Sequence, residues 1–261
     1  MRTQIILSAI LLMAASLLGS DRFVALPDSY VAIVTPLREA VISSAVTGNV
    51  GEYQVADGVY TEKGAVIVTL DDREYQSLAA KAKAVFNEAE AQYNYSQKMH
   101  EGNLALAQKQ MCSEQELART QLELELAAAK RDSAKADYDN ALLELEQCTI
   151  TMPFAGRIVE RFVKSHEFVR PGMPLLSVLD DTQVYAVVFL PLHYRSALQL
   201  EQTLHFQFEN VPGIFAGKVE FIAPKADAAT GNFEVRARID NSQGLLVSGM
   251  SGELLKDGAG E

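Results

Sequence analysis

Between Asp72 and Gln147 the chain contains no proline and a single glycine, Gly102. Ala, Glu, Gln, Leu and Lys dominate this stretch, and all of them lose little on entering a helix. Apolar or small residues recur in alternating steps of four and three, the repeat of a coiled coil. One series runs Leu78, Ala82, Val85, Ala89, Gln92, Ser96 and Met99. A second runs Leu117, Thr120, Leu124, Ala127, Arg131, Ala134, Tyr138, Ala141 and Leu145. The pattern weakens between Gly102 and Ser113. Ser113 followed by Glu116 is a capping box, so a new helix starts there. The spacing predicts two antiparallel helices, about 72–107 and 113–147, each on the order of 50 Å long. An ordinary helical domain is the plain alternative. Two helices bury little, though, and no third or fourth completes a bundle, so a protruding coiled-coil hairpin is the better account. Cys112 then sits at the turn and Cys148 just past the second helix, roughly 50 Å apart and beyond disulfide reach.

The hairpin is flanked by two copies of one short β pattern. The first is VTGNVGEYQVADGVYTEKGAVIVTLD, from Val46 to Asp71. The second lies within Ile150 to Asp180, ITMPFAGRIVERFVKSHEFVRPGMPLLSVLD. With Gly48 set on Gly156, Val50 meets Ile158, Val55 meets Val163, Thr61 meets Val169 and Gly64 meets Gly172. Leu70-Asp71 then matches Leu179-Asp180 with one insertion. Alternation at Val50, Val55 and Val66–Leu70 predicts strands, and Gly48, Gly58, Gly64 and Pro171-Gly172 predict turns. One copy has too few strands to close a core. Two copies interlocked face to face close one, provided the hairpin leaves at Asp71 and returns at Thr149.

The rest is bounded by charge and composition. The net charge of −11 argues against nucleic acid, which needs clustered Lys and Arg. Arg2, the apolar run Ile5–Leu18 and the small residues after it match a secretory signal, residues 1–20. The run is short for a membrane span, which needs roughly 20 residues, so a cleaved signal and an uncleaved anchor both stay open. Export in a bacterium means the periplasm. Beyond Asp180, Val184–Leu190, Thr203–Phe208, Gly217–Ile222 and Phe233–Ile239 read as strands, with turns at Pro212-Gly213 and Asn241–Gly244, so residues 181–256 form a small barrel. Residues 21–40 contribute a further barrel strand, and 257–261 are a flexible tail.

The two β segments, 41–71 and 148–180, resemble the halves of a lipoyl or biotinyl domain. The order half-domain, hairpin 72–147, half-domain resembles the periplasmic adaptors, or membrane fusion proteins of the HlyD-like family, of bacterial tripartite efflux pumps. The resemblance continues through VYAVVFLPLHYRSAL and through VPGIFAGKVEFIAPKADAATGNFEVRARIDNSQGLLVSGM, and covers essentially Val31 to Leu255. It implies a mainly β chain with an inserted helical hairpin: a split lipoyl-like sandwich plus a small β-barrel. It also implies a non-enzymatic role without cofactors, linking an inner-membrane efflux transporter, of the resistance-nodulation-division type, to an outer-membrane channel. Self-association into a ring or tube around the conduit goes with that role. An adaptor of an ABC-type exporter, and an envelope scaffold or binding module without a pump, are the alternatives.

Individual residues sharpen this. A lipoyl carrier needs a Lys at the tip of its connecting hairpin, and Leu70-Asp71-Asp72-Arg73 offers none. The family's hairpin tip carries Arg, then Leu four residues on, then Ser seven further. Leu106 and Ser113 fit that spacing, but Gly102 stands at the Arg position, with Lys98 one turn earlier. The resemblance makes Leu106 and Ser113 channel-docking residues. Read from the residues alone, Ser113 caps a helix and Leu106 packs the coil. His100, His166, His193 and His205 show no metal-ligand spacing, and His100 reads as part of a solvated face. Met99 and Met111 read as packing residues.

Overall fold

A computed structural model describes residues 30–255. The signal or anchor expected at 1–20 and the tail expected at 257–261 lie outside them. The described chain divides into two compact units, Arg38–Asp180 and residues 30–37 with 181–255.

The first unit holds a small β domain and the hairpin. Its strands are the second part of β1 (Tyr30–Ser43), β2 (Gly48–Asn49), β3 (Tyr60–Thr61) and β4 (Val66–Thr69) before the helices. After them come β5 (Thr149–Thr151), β6 (Gly156–Arg161), β7 (Phe168–Val169) and the first part of β8 (Pro174–Pro191). β2 pairs with β7, β3 with β6 and β4 with β5, each antiparallel. Each of these pairings joins the chain before the hairpin to the chain after it.

The pairings follow a pseudo-two-fold. Gly48 faces Val169, and its counterpart Gly156 faces Thr61, the counterpart of Val169. The Gly64 amide donates to the Met152 carbonyl, and the Gly172 amide to the Ser44 carbonyl. The Gln54 amide donates to Ile67, and the Phe162 amide to Leu175. Gly64 and Gly172 share φ of 83°. The repeat is therefore one interlocked core, in which Ile67, Val68, Ile158, Leu175, Leu176 and Val178 are buried. The strands are shorter than the alternation predicts. Val50 makes only an isolated bridge to Leu70, and Val55 lies in a bend, because the turns at Gly58 and Gly64 interrupt the run.

The helices are α1 (Arg73–Gln108) and α2 (Glu114–Glu146). Along α2 the second series is the seam: Thr120, Ala127 and Ala134 are buried, and Leu117, Leu124, Arg131, Tyr138, Ala141 and Leu145 half-buried. Along α1 the first series is half right. Ala82, Ala89 and Ser96 face the seam, but Leu78, Val85, Gln92 and Met99 are exposed. Their places are taken by Ala79, Phe86, Tyr93 and His100, one step on. The aromatics decide this. Phe86 stacks on Tyr138 with ring centroids 6.2 Å apart, and the Arg131 guanidinium lies 4.1 Å over the Tyr93 ring. Broad rings fill the space between small-residue layers better than Val85 does. His100 is not on a solvated face: it is half-buried, with Nδ1 3.2 Å from the Thr120 hydroxyl. At the base, Tyr75 accepts from the Thr47 amide and donates to its carbonyl. Both cysteines are free, and Cys148 is fully buried.

In the second unit the remaining strands are β9 (Thr203–Phe208), β10 (Phe215–Ala226), β11 (Asn232–Asp240) and β12 (Ser251–Leu254). The order is β1-β12-β9-β10-β11-β8, and a further β1–β8 pairing closes it into a barrel. Alternate residues point inward, as period-two strands require. Val184, Ala186, Val188 and Leu190 of β8 meet Phe233, Val235, Ala237 and Ile239 of β11. Gly217 is needed on this inner face, since a Cβ there would lie 3.0 Å from each of Ala237, Ile239 and Phe206. Among the described residues no helix is long and apolar enough to cross a membrane.

Candidate functional site

The part of the chain that holds the sequence-predicted site residues is the tip of the hairpin, and two caps shape it. α1 ends in a Schellman turn: the Gln110 amide donates to the Ala107 carbonyl and the Met111 amide to Leu106. That motif needs a left-handed residue, here Gln110 with φ of 60°. α2 opens on Ser113, whose Oγ accepts from the Glu116 amide at 3.2 Å. Glu116 turns its carboxylate to Arg119, at 2.8 Å. That hydrogen bond holds the Glu116 pKa below its ordinary value.

Leu106 and Ser113 are thus brought to one tight turn, and both are exposed. Ser113 performs the capping role whatever else it does. Leu106 is 42 % exposed, so its side chain does not pack the coil; its carbonyl closes the turn instead. Gly102 lies one helical turn below Leu106. A Cβ built there meets nothing within 4 Å, so this position has room for a side chain.

Met111, read from the sequence as a packing residue, is exposed at the tip. It is 72 % exposed at the point of the turn, and Met99 is 44 % exposed, so neither is a packing residue. The signal for Met111 was an apolar residue caught between a helix end and a capping Ser, where no neighbour remains to cover it. Gln110 gave no signal, since glycine is the usual left-handed residue at a helix end. Chemically the tip offers a thioether, a leucine and a hydroxyl on a rigid double-capped turn. Among the described residues no cluster of His, Cys, Asp and Glu is arranged to hold a metal.

The comparisons with known proteins agree with this architecture. Residues 183–259 match the family model described as the CusB-like β-barrel domain. The nodulation protein NolF of Rhizobium meliloti (strain 1021) is 27 % identical over 219 residues, 83 % of this chain and 59 % of NolF. The multidrug resistance protein MdtA of Photorhabdus laumondii is 26 % identical over 223 residues, 79 % of this chain and 54 % of MdtA. The chain therefore spans somewhat more than half the length of these relatives. Among solved structures, the membrane fusion protein Spr0693 of Streptococcus pneumoniae R6 superposes with a TM-score of 0.67 at 18 % identity, covering 88 % of this chain and 99 % of that one. Hairpin, small β domain and barrel are thus the fold that this chain shares with that membrane fusion protein, and residues 183–259 are similar to the CusB-like β-barrel domain.

Proposed function

We propose that the protein is a non-enzymatic periplasmic adaptor associated with the inner membrane. It joins an inner-membrane efflux transporter to an outer-membrane channel and exports drugs or other toxic compounds. The small β domain serves as a lipoyl-type platform without the carrier lysine. Copies assemble into a ring, and the tip residues Leu106 and Ser113, with Met111, meet the channel. The similarity to MdtA, a multidrug resistance protein, favours this reading, and the CusB-like barrel favours a transporter of the resistance-nodulation-division type. The observation that carries it is the exposed Leu106–Met111 pair on a rigid turn at the far end of a long hairpin. Apolar side chains held out on such a support fit a partner's groove better than solvent.

The test is resistance in a deletion strain complemented with variants. Leu106→Asp removes the docking side chain and keeps the carbonyl of the turn. It should abolish resistance while the melting temperature stays unchanged. Gly102→Arg places a cation where the family carries one and should keep or raise resistance. Normal resistance in a Leu106→Asp, Met111→Asp double variant expressed at the parent level would remove the docking role. Copurification of a transporter then separates the pump classes.

A further inference from the structure

One end of the barrel carries leucines that its closure does not use. That end is made by the start of β1 at Tyr30, the end of β8 at Pro191, the start of β9 at Thr203, the β10–β11 loop 227–231 and the end of β12 at Leu254. Residues 192–200, LHYRSALQL, cross it from β8 to β9. Tyr194 and Leu198 turn inward and join the barrel core. Tyr30 packs edge-on against Tyr194, with ring centroids 6.3 Å apart. These side chains seal the end. Leu192 and Leu200 take no part in that seal, being 57 and 62 % exposed. On the outer wall nearby, Phe189 and Val31 are exposed as well. Apolar side chains gathered at one place on a surface mark a contact. The barrel is closed, so this end has no open strand edge to offer a peptide partner, and the contact is made by side chains.

The polar groups of this end narrow the partner. Within residues 192–200 the one side chain charged at neutral pH is Arg195. It is exposed, as are His193 and, at the end of β10, Lys225. Asp227 is turned into its own loop, where Oδ1 accepts from the Ala229 and Thr230 amides and from the Thr230 hydroxyl. Glu201 is exposed and opposes the cations in part. Leucines beside a guanidinium, in a chain of net charge −11, suit a bilayer interface with anionic headgroups. Exposed apolar residues alone do not choose an end, since Ile214, Leu245 and Val247 are exposed at the other. The chain that enters does. Tyr30 lies at this end, and the apolar run Ile5–Leu18 precedes it. Residues 19–29 can reach at most about 40 Å. With Ile5–Leu18 retained in the bilayer, that is the farthest this end can stand from lipid.

We propose that this end of the barrel rests directly on the lipid of the inner membrane, with Leu192 and Leu200 seated in the interface and Arg195 at the headgroups. The contact goes beyond the adaptor reading and rests on its inner-membrane location. Two leucines and a phenylalanine present less apolar surface than one myristoyl chain, whose binding constant is on the order of 10⁴ M⁻¹. The contact is therefore weak and reversible. It orients the barrel on a membrane to which the chain is already brought, and it does not hold the chain there alone.

The chain has no tryptophan, so one introduced by substitution reports its own position. Three variants of the full chain are read on vesicles of phosphatidylethanolamine and phosphatidylglycerol whose acyl chains carry bromine: Leu192→Trp, Leu200→Trp and, at the opposite end of the barrel, Val247→Trp. A ring seated about 5–10 Å into the headgroup and acyl boundary should lose about half its emission, which is the result expected for the first two variants and not for the third. Leu200→Asp added to Leu192→Trp should abolish the quenching and leave the melting temperature unchanged, since the Leu200 side chain is exposed and such substitutions shift stability little. Equal quenching at Val247→Trp would mean adsorption without orientation. No quenching in any variant, with the chain bound to vesicles or not, would mean that the barrel end stands clear of lipid. Either result overturns the proposal. So does an emission change that appears with a copurified inner-membrane transporter and not with vesicles, which would give the surface to a protein. The vesicle measurement involves no transporter, channel or resistance, so failure here is separable from failure of the pump reading, which the tip variants test.

Discussion

The two copies of the β motif share a framework and differ at three matched positions, each for a reason set by what the copy must hold. At the first, Gly48 and Gly156 both face the partner copy. A Cβ on Gly48 would sit 3.4 Å from the Leu70 Cβ, an ordinary contact, whereas on Gly156 it would sit 2.2 Å from the Leu179 carbonyl oxygen. β6 is paired with β8 from Arg157 to Arg161, and β8 continues into the barrel; β2 pairs with the short β7 and takes a hydrogen bond from the Asp71 amide to the Asn49 carbonyl. At the second, Gly58 with φ of 74° is matched by His166 with φ of 70°. At the third, Asp71 opens the hairpin and Asp180 ends the unit. Sequence symmetry therefore fixes the pairing scheme, while the element each copy leads into fixes how tightly the backbone is held.

The largest expected effect breaks the symmetry at the glycines. Gly156→Ala forces a Cβ into main-chain oxygen that no rotamer can move, so it should cost about 3 kcal/mol. Gly48→Ala should stay within about 0.5 kcal/mol. Urea unfolding followed in the β domain measures both. Equal losses would mean that β6 and β2 are held alike and that the contrast is empty.

The same comparison shows what was legible beforehand. The glycine spacing and the capping box at Ser113 carry their own geometry, so the interlocked copies and both helices could be read with ends off by one residue. β9 could be read residue for residue, because its alternation is strict and both ends are turns. The seam of α1 could not. Leu78 and Val85 look more apolar than Ala79 and Phe86 look seam-like, and only the partner helix, with Tyr138 and Arg131 in place, decides the column. Of the residues exposed at the turn, the family's tip spacing singled out Leu106 and Ser113 and not Met111, because exposure of an apolar residue follows from the turn geometry rather than from its neighbours in sequence.

A smaller effect sharpens the second position. A non-glycine residue in the left-handed region costs roughly 1–2 kcal/mol, while glycine loses about 0.5–1 kcal/mol more chain entropy on folding. His166→Gly should therefore raise stability by about 0.5 kcal/mol. The hydrogen bond it removes, between His166 Nε2 and Glu52 Oε1 at 2.9 Å, is exposed on both sides and contributes little. Gly58→Ala should lower stability by about 1 kcal/mol, through strain alone, since its Cβ would touch nothing. Thermal melts of the two variants should move in opposite directions, and a shift of the same sign would show that His166 is held there by contacts its counterpart lacks.

The smallest effect concerns Asp71. The side-chain hydrogen bonds from Arg73, Nε to Oδ1 at 2.9 Å and Nη2 to Oδ2 at 2.6 Å, lower its pKa from 3.8 to about 2. The Arg73 amide and its charge act in the same direction. A carboxylate with a depressed folded pKa adds stability that is fully present above the unfolded value and is lost as pH falls through the folded one. The window here is pH 4 to 2, and the pair is exposed, so the effect on global stability is small. What it sets is the exit of the chain from β4 into α1, where the Asp71 amide is already held by the Asn49 carbonyl. A carbon-detected NMR titration should find Asp71 midway near pH 2 in the parent and shifted up toward 3.8 in Arg73→Gln, because the first and largest cause is gone. The signals of Tyr75 and Thr47 should broaden over the same interval as the base of α1 loosens. An Asp71 that titrates at its ordinary value in the parent would mean that the hairpin is anchored by the Tyr75–Thr47 hydrogen bonds alone.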